Sequence, residues 1–223
     1  MSVPLVIIMS AISTKLSAFL FPGLTWKIAT ENKELFLTFD DGPHPLITPK
    51  VLNILDEYNA KATFFCVGEN VQKHPEAYAE IISRGHQTGN HTFNHLKGWE
   101  TSAKEYLGNI RKCNELVPSA LFRPPHGRIL PGQVRQLKKE GYQVVMWSVL
   151  ARDYQQNSDK KNLLQKVLAQ TKAGSIIVFH DSDKASENLY YALPRTLEFL
   201  NEQGFKPKSI PSNGLPSSNA TIN

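Results

Sequence analysis

The stretch ELFLTFDDGP, residues 34–43, runs from an apolar segment directly into two adjacent carboxylates and a Gly-Pro turn. A short apolar run bounded by turn residues is typical of a buried strand in a parallel sheet. From residue 34 onwards, such runs alternate with helical stretches, which is the pattern of βα units. The sequence therefore predicts one α/β domain, residues 34–210, whose six or seven parallel strands close into a barrel.

The remaining elements follow the same alternation. Strands are predicted at residues 35–39, 62–67, 87–91, 121–124, 143–149 and 175–180, with a seventh near 205–210. Helices are predicted at about 48–58, 75–84, 103–116, 131–140, 161–172 and 186–203. Pro49 lies just inside one predicted helix start, and Gly85 and Gly141 lie just past two predicted ends, where these residues are favoured. Motifs at the C-terminal ends of the strands are the candidates for chemistry, because barrel enzymes carry their catalytic groups there.

The composition is that of an ordinary soluble globular domain, with 41% hydrophobic and 20% charged residues in 223. The net charge is +5, but the Lys and Arg residues are scattered along predicted helices, which indicates solvated faces and no nucleic-acid partner. Cys66 and Cys113 have no CxxC partner, so we expect two buried thiols. A single disulfide between them stays an open alternative.

Both termini differ in composition from the predicted domain. The apolar stretch at residues 3–12 is about half the length that spans a bilayer, and its first basic neighbour, Lys15, follows it instead of preceding it. We therefore expect residues 1–33 to be an N-terminal apolar extension that packs on the domain, with a signal or anchor role as the alternative. Residues 211–223 are rich in Ser, Pro, Asn and Gly, which predicts a disordered tail. We expect a monomer without a membrane span, located either in the cytoplasm or at the cell envelope.

The carboxylates of the opening stretch, Asp40 and Asp41, are placed where a predicted strand ends. Adjacent side chains diverge at a strand end, so one carboxylate can bind a cation while its neighbour acts as a base towards water. The alternative is an Asp-Asp-Gly turn with both side chains solvated.

The motif HTFNH, residues 91–95, offers two imidazoles at positions i and i+4. On a helical turn or in a tight loop, both rings can reach a single ion. It is not the HExxH motif of metalloproteases, because no Glu follows His91. Packed core histidines are the alternative, but the motif follows a strand next to the one that ends in two Asp residues. Two imidazoles and a carboxylate suit Zn²⁺ and also admit Co²⁺ or Ni²⁺.

The motif FRPPHG, residues 122–127, combines a cation with two prolines that stiffen the loop. Arg123 can reach sideways to hold a carboxylate, and a backbone N–H near His126 can donate to a developing oxyanion. The alternative is a rigid surface turn with a solvated Arg.

The motif GSIIVFHDS, residues 174–182, is an apolar strand whose C-terminal end carries His180. A histidine in this place is suited to be the general acid for a leaving amine, because its ordinary pKa is near neutrality. A structural histidine at a capped strand end is the alternative.

Taken together and in order, TFDDGP, HTFNH, RPPHG and the strand-terminal His180 resemble the motifs of the polysaccharide deacetylase family, carbohydrate esterase family four, which carries the NodB homology domain. The likeness covers about residues 34–207. It implies a distorted (β/α) barrel of about seven parallel strands, an open groove for a glycan chain and one divalent metal, with Zn²⁺ as the first expectation. The metal ligands implied by the resemblance are Asp41, His91 and His95.

The resemblance also implies the catalytic roles. Asp40 looks like the base, Arg123 like the residue that braces it, and His180 like the acid. The family's DxxDW motif aligns with residues 150–154, where Asp153 keeps the carboxylate that would tune His180, while Leu150 and Tyr154 depart from the pattern. The loop of Pro125, His126 and Gly127 would supply the oxyanion donor. Tyr154 and Val178 would line the groove around the acetyl methyl group.

The function that follows is a metal-dependent hydrolase that removes N-acetyl groups from an amino-sugar polymer or oligomer, peptidoglycan-like or chitin-like. A cation polarises the amide carbonyl while Asp40 removes a proton from the attacking water. One alternative keeps the site but acts on small amides or formamides. Another is a non-catalytic, metal-bearing glycan-binding module, which is disfavoured because such a module would need neither Asp40 nor His180.

Overall fold

The computed structural model describes residues 21–212, in which parallel strands form one curled sheet. The strands are β1 (Glu34–Asp40), β2 (Ala62–Cys66), β3 (Gln87–Asn90), β4 (Leu121–Phe122), β5 (Gln143–Val144), β6 (Val149–Leu150), β7 (Ile176–His180) and β8 (Lys206–Pro207). The order across the sheet is β5-β4-β3-β2-β1-β7-β6, and β8 pairs with β1 outside this path. The seven strands of the path form a curled, incomplete barrel with helices around it, which confirms the predicted distorted (β/α) barrel of about seven parallel strands.

Helices follow the strands as predicted, with boundaries that differ by one or two residues. They are α1 (Ile47–Glu57), α2 (Gly68–Lys73), α3 (Pro75–Ser83), α4 (Ala103–Asn114), α5 (Pro131–Lys139), α6 (Lys160–Gln170) and α7 (Ser186–Glu202). The sequence did not predict α2, because this six-residue helix buries only Gly68 and Val71 and has no apolar periodicity. Within residues 21–212, none of the helices has the length and hydropathy needed to cross a membrane.

The central strand β1 determines which way the carboxylates point. Leu35, Leu37 and Phe39 belong to the cluster that packs against α1 and α7. Phe36 belongs to a separate cluster that includes Val178. Because side chains alternate along a strand, Asp40 lies on the same face as Phe36, opposite the helices. The pattern that buries this strand therefore also directs its last carboxylate towards the barrel interior.

The predicted strand at residues 143–149 is wrong, because the structure divides this stretch between two edges of the sheet. Its first part, β5, pairs with β4, and its last part leads into β6, which pairs with β7. Residues 145–148 link the two edges: the N–H of Val145 still donates to the carbonyl of Phe122, whereas the N–H of Ser148 already donates to that of Ile176. β4 ends at Phe122, two residues before the prediction, at a point where Pro124 and Pro125 lack the N–H that a continuing strand would need.

The segment before β1 contributes to the packed unit. Leu24 and Trp26 are buried in the same cluster as Val144 and Met146. The N–H of Thr25 donates to the carbonyl of Val144 at 2.9 Å. The apolar stretch at residues 3–12 and the tail from residue 213 on lie outside the described residues, so the expectations for them stay predictions.

The two cysteines, Cys66 and Cys113, are buried free thiols. The prediction of buried thiols is therefore confirmed, and the alternative of a disulfide between them is wrong.

Candidate active site

A cavity of about 600 Å³ opens at the C-terminal ends of the strands. Its lining includes nine residues singled out from the sequence: Asp40, Asp41, His91, His95, His126, Leu150, Tyr154, Val178 and His180. Six further residues complete it: Lys97, Trp99, Glu100, Arg128, Trp147 and Lys184. The motifs that are far apart in the sequence therefore meet at one place.

The predicted metal ligands lie together. The ligand atoms of Asp41, His91 and His95 are all within 4.8 Å of one another. Asp41 Oδ1 is 3.3 Å from His95 Nε2 and 3.7 Å from His91 Nε2. Two imidazole nitrogens and one carboxylate oxygen are a donor set of catalytic zinc sites, which leave a further position open. These residues fit a single divalent cation.

Hydrogen bonds orient two of these ligands. Nδ1 of His91 donates to the carbonyl of Arg123 at 2.8 Å, so its Nε2 carries the lone pair on the side of Asp41. The carbonyl of Asp41 accepts a hydrogen bond from the Asn70 amide at 2.7 Å. The HTFNH segment is a loop and not a helical turn, because Thr92 and His95 adopt positive φ angles of 67° and 56°. The loop therefore brings the two rings together by left-handed backbone positions.

Electrostatics favours the protonation states that bind a cation. Burial alone would raise the pKa of Asp41, but the hydrogen bond with His95 and the nearby charge of His180 hold it well below its usual range. Burial lowers the pKa of His91 to about 4, against the attraction of Asp40. A deprotonated carboxylate and a neutral imidazole are the forms that a metal needs.

Arg123 is fully buried and fixes the position of Asp40. Its Nη1 donates to Asp40 Oδ1 at 2.7 Å and to the hydroxyl of Thr38 at 2.7 Å. Its Nη2 donates to the carbonyl of Met146 at 3.0 Å, and the guanidinium stacks 4.1 Å from the centre of the Phe65 ring. Burial lowers the pKa of Arg123, while the adjacent Asp40 raises it. Arg123 is therefore a brace inside the barrel and not a solvated surface residue.

His180, at the cavity wall, and the fully buried Asp153 form a second pair. Nδ1 of His180 donates to Asp153 Oδ1 at 2.7 Å, and its backbone N–H donates to Oδ2 at 2.8 Å. Burial lowers the pKa of His180, but the charge and hydrogen bond of Asp153 outweigh burial and raise it to about 9. His180 is therefore protonated at neutral pH, and its Nε2 is the donor that is not bound to Asp153.

The Pro125–Gly127 turn shapes one side of the cavity, but only His126 lines it. His126 has a φ of 58°, and none of the groups in residues 21–212 accepts a hydrogen bond from its backbone N–H. Pro125 and Gly127 are buried and do not line the cavity, so within this loop the predicted oxyanion donor is left to the backbone N–H of His126. A Cβ on Gly127 would lie 2.4 Å from the Trp147 ring, so the turn packs directly against this ring and has no room for a side chain at Gly127.

Sequence reasoning missed several residues of the cavity wall. Trp99 lies edge-on to His126, with ring centres 5.5 Å apart, and the Arg128 guanidinium lies 5.0 Å from the centre of the Trp99 ring. Trp99 and Arg128 lie outside the predicted motifs, and the available signal was only their closeness to the motifs: Trp99 follows HTFNH by a few residues, and Arg128 follows FRPPHG. On the other side, Tyr154, which the sequence did single out, lies edge-on to His180, with ring centres 4.9 Å apart.

A curled parallel barrel with one Asp–His–His cluster, flanked by an Asp–Arg pair and an Asp–His pair, defines the class of α/β-barrel hydrolases with a cation site. The family described as Polysaccharide deacetylase matches residues 27–145 of the chain. A peptidoglycan-N-acetylglucosamine deacetylase of Bacillus cereus is 34% identical over 190 residues, covering 82% of this chain and 89% of that protein. A chitooligosaccharide deacetylase of Azorhizobium caulinodans is also 34% identical, covering 71% of this chain and 79% of that protein.

The same likeness extends to solved structures. The crystal structure of the Bc1960 peptidoglycan N-acetylglucosamine deacetylase superimposes with a TM-score of 0.82 at 29% identity, covering 87% of this chain and 94% of that one. The chain therefore belongs to the polysaccharide deacetylase family and is an enzyme of that family. The resemblance carried by the four motifs is confirmed.

Proposed function

We propose that this enzyme removes N-acetyl groups from an amino-sugar polymer, with Asp40 as the base and His180 as the acid. The observation that carries the proposal is the register of two neighbouring strands: Asp40 on β1 is the direct partner of His180 on β7. Paired residues of parallel strands project on the same side of the sheet, and both side chains line the cavity. Acid and base therefore flank one site, beside the Asp41, His91 and His95 cluster.

Each residue has a distinct part in amide hydrolysis. Asp41, His91 and His95 would hold a divalent cation, Zn²⁺ on the basis of the donor set, which would supply Lewis acidity towards the amide carbonyl and lower the pKa of water. Asp40, held by Arg123, accepts the proton of the attacking water. The N–H of His126 donates to the developing oxyanion. His180 Nε2 then donates a proton to the departing amine, so that acetate is released.

An apolar side of the cavity accommodates the acetyl methyl group in this proposal. Trp147, Leu150, Tyr154 and Val178 line the cavity next to His180. Burying one methyl group contributes about 0.8 kcal/mol, which favours acetyl over formyl substrates by a few fold. Tyr154 takes the place of the family's Trp in this wall, so the phenol is the group that distinguishes this pocket.

An acetate-release assay tests the proposal. We expect acetate from N-acetylglucosamine oligomers or from soluble peptidoglycan fragments, loss of release with excess chelator, and recovery with Zn²⁺, Co²⁺ or Ni²⁺. Turnover of formamides without turnover of any glycan would favour the small-amide alternative. Glycan binding without acetate release would favour the non-catalytic module.

The charge of the cavity walls favours a glycan that carries carboxylates, as peptidoglycan does. Lys97 pairs with Glu100 at 3.5 Å, whereas Arg128 and Lys184 form no ion pair within residues 21–212. They line the cavity on its two sides, next to Trp99 and Tyr154 respectively. Two uncompensated cations at an open groove attract an anionic chain more than a neutral one.

Arg128→Gln should lower kcat/KM for a carboxylate-bearing fragment by about 2–5-fold at low salt, because an exposed ionic contact contributes about 1 kcal/mol or less. It should leave kcat/KM for a neutral oligomer nearly unchanged. The matched control is Arg135→Gln, which removes the same charge from an exposed position of α5. Equal losses of kcat/KM for the carboxylate-bearing fragment and the neutral oligomer would contradict a preference for carboxylate-bearing glycans.

A further inference from the structure

Asp181 is a fully buried carboxylate that directly follows His180 and does not line the cavity. Its backbone N–H donates to the carbonyl of Asp40 at 3.2 Å. The residue after the proposed acid is therefore bound to the residue proposed as the base. This contact joins the ends of β7 and β1.

The carboxylate of Asp181 holds the turn that follows β1. Its Oδ1 accepts a hydrogen bond from the N–H of Gly42 at 3.1 Å, and its Oδ2 accepts one from the Thr48 hydroxyl at 2.5 Å. The same hydroxyl accepts from the N–H of His44 at 2.7 Å. Asp181 thus ties both ends of the segment from Gly42 to Thr48 to the end of β7.

The turn that follows β1 is tightly packed against Asp181. A Cβ on Gly42 would lie 2.1 Å from Asp181 Oδ2, so the carboxylate packs directly against the backbone. Asp41 adopts a φ of 80°, which is a strained backbone conformation for a residue with a side chain. Such a conformation persists only where neighbouring contacts hold it. Two hydrogen bonds hold it here. The N–H of Gly42 donates to the Asp181 carboxylate, and the side-chain amide of Asn70 donates to the carbonyl of Asp41.

We propose that Asp181 is a positioning residue that, together with Thr48, holds Asp41 and Asp40 in place relative to His180. Asp181 itself contacts neither substrate nor cation. It acts on cation binding through the backbone conformation of Asp41, and on turnover through the spacing of Asp40 and His180. The part that concerns turnover rests on the proposed deacetylase function, whereas the part that concerns cation binding does not.

Thr48→Val tests the inference because it keeps the shape of the side chain and removes the hydroxyl that Asp181 binds. We expect a cation Kd about 10-fold higher than that of the wild type, since loss of a group that orients metal ligands costs about 10–100-fold. With saturating cation, kcat should fall by a similar factor while KM stays within twofold. Thr48→Ser, which restores the hydroxyl, should recover most of both values.

Thr196→Val is the matched control. Thr196 is also fully buried in a helix, but its hydroxyl has no hydrogen-bond partner among the described residues. This variant should keep the wild-type Kd and kcat. The Kd is measured by competition with a chromophoric chelator, and circular dichroism establishes that each variant is folded.

A second variant, Asp181→Asn, covers the case in which Thr48→Val does not fold. It keeps an oxygen for the N–H of Gly42 and removes the charge, and it should also raise the cation Kd. The inference is overturned if folded Thr48→Val or Asp181→Asn binds the cation within twofold of the wild type, or if Thr48→Ser is as defective as Thr48→Val. If the wild type releases no acetate from any glycan, the deacetylase proposal fails, while the Kd series still decides the role of Asp181.

Discussion

Asp40→Asn should lower kcat for acetate release by about 10²–10⁴-fold, the usual contribution of a general base. The amide oxygen can still accept the hydrogen bond that Arg123 Nη1 now gives to Asp40 Oδ1 at 2.7 Å. It cannot accept a proton from water, because an amide is not a base at neutral pH. Acetate release at saturating substrate and cation measures the loss.

The same substitution has a cost in stability that the motif alone did not predict. Arg123 is fully buried, and Asn leaves its charge without a counter-ion. We expect the free energy of unfolding to fall by about 1–3 kcal/mol, with the fold retained. Thermal unfolding measures this change, so the activity assay is run well below the Tm of the variant.

His91→Ala is the contrasting variant, because it removes a proposed metal ligand and not the proposed base. It should lose cation affinity first, whereas Asp40→Asn should keep it. Wild-type acetate release by Asp40→Asn would show that another group takes the proton. Equal loss of cation affinity in both variants would show that Asp40 is a ligand.

The fold was largely predictable because burial on both faces gives parallel strands a plain signal. Residues 35–40 of β1 are all buried, and the apolar run that produces this burial is visible in the sequence. Residues 143–149 gave a similar signal, but they contribute to two edges of the barrel. Hydrophobicity records that a residue is buried and not which strand it pairs with, so the break between β5 and β6 could not be predicted.

The residues of the candidate site were also predictable only in part. Side chains that need a particular chemistry, such as Asp41 and His91, occur in recognisable motifs. Residues that act through shape or through the backbone carry no such signal: Trp99 forms a wall, and Asp181, although it lies within GSIIVFHDS, looks like any acidic residue after a strand. The Asp181 contact joins positions 139 residues apart in the chain, and no local pattern predicts it.

Asp153→Asn should nearly abolish turnover near pH 8 and should move the alkaline limit of activity to lower pH. Burial lowers the pKa of His180, and Asp153 raises it to about 9 by its charge and hydrogen bond. Without that charge and hydrogen bond, burial is opposed only by the charges of Asp41 and Asp40, so the pKa of His180 falls well below 9. The proposed acid is then deprotonated at pH 8, and the loss of a general acid costs about 10²–10⁴-fold in kcat.

The free energy of unfolding should also depend on the protonation of His180. The pKa of His180 in the folded protein is about 9, above its usual value of 6.5, so the stabilisation is fully present below pH 6.5 and is lost as the pH rises through 9. The difference in Tm between the wild type and Asp153→Asn should therefore be largest at or below pH 6.5 and should narrow towards pH 9.

The pH profile of kcat, measured with saturating cation, separates a general acid from a structural histidine. Asp56→Asn, a remote substitution on α1, should leave the profile unchanged and serves as the control. If Asp153→Asn lowered kcat equally at every pH, the Asp153–His180 pair would only support the wall that carries Tyr154. A shift of the alkaline limit in Asp153→Asn alone can come only from a proton donor whose pKa depends on Asp153, and His180 is the group that Asp153 binds at 2.7 Å.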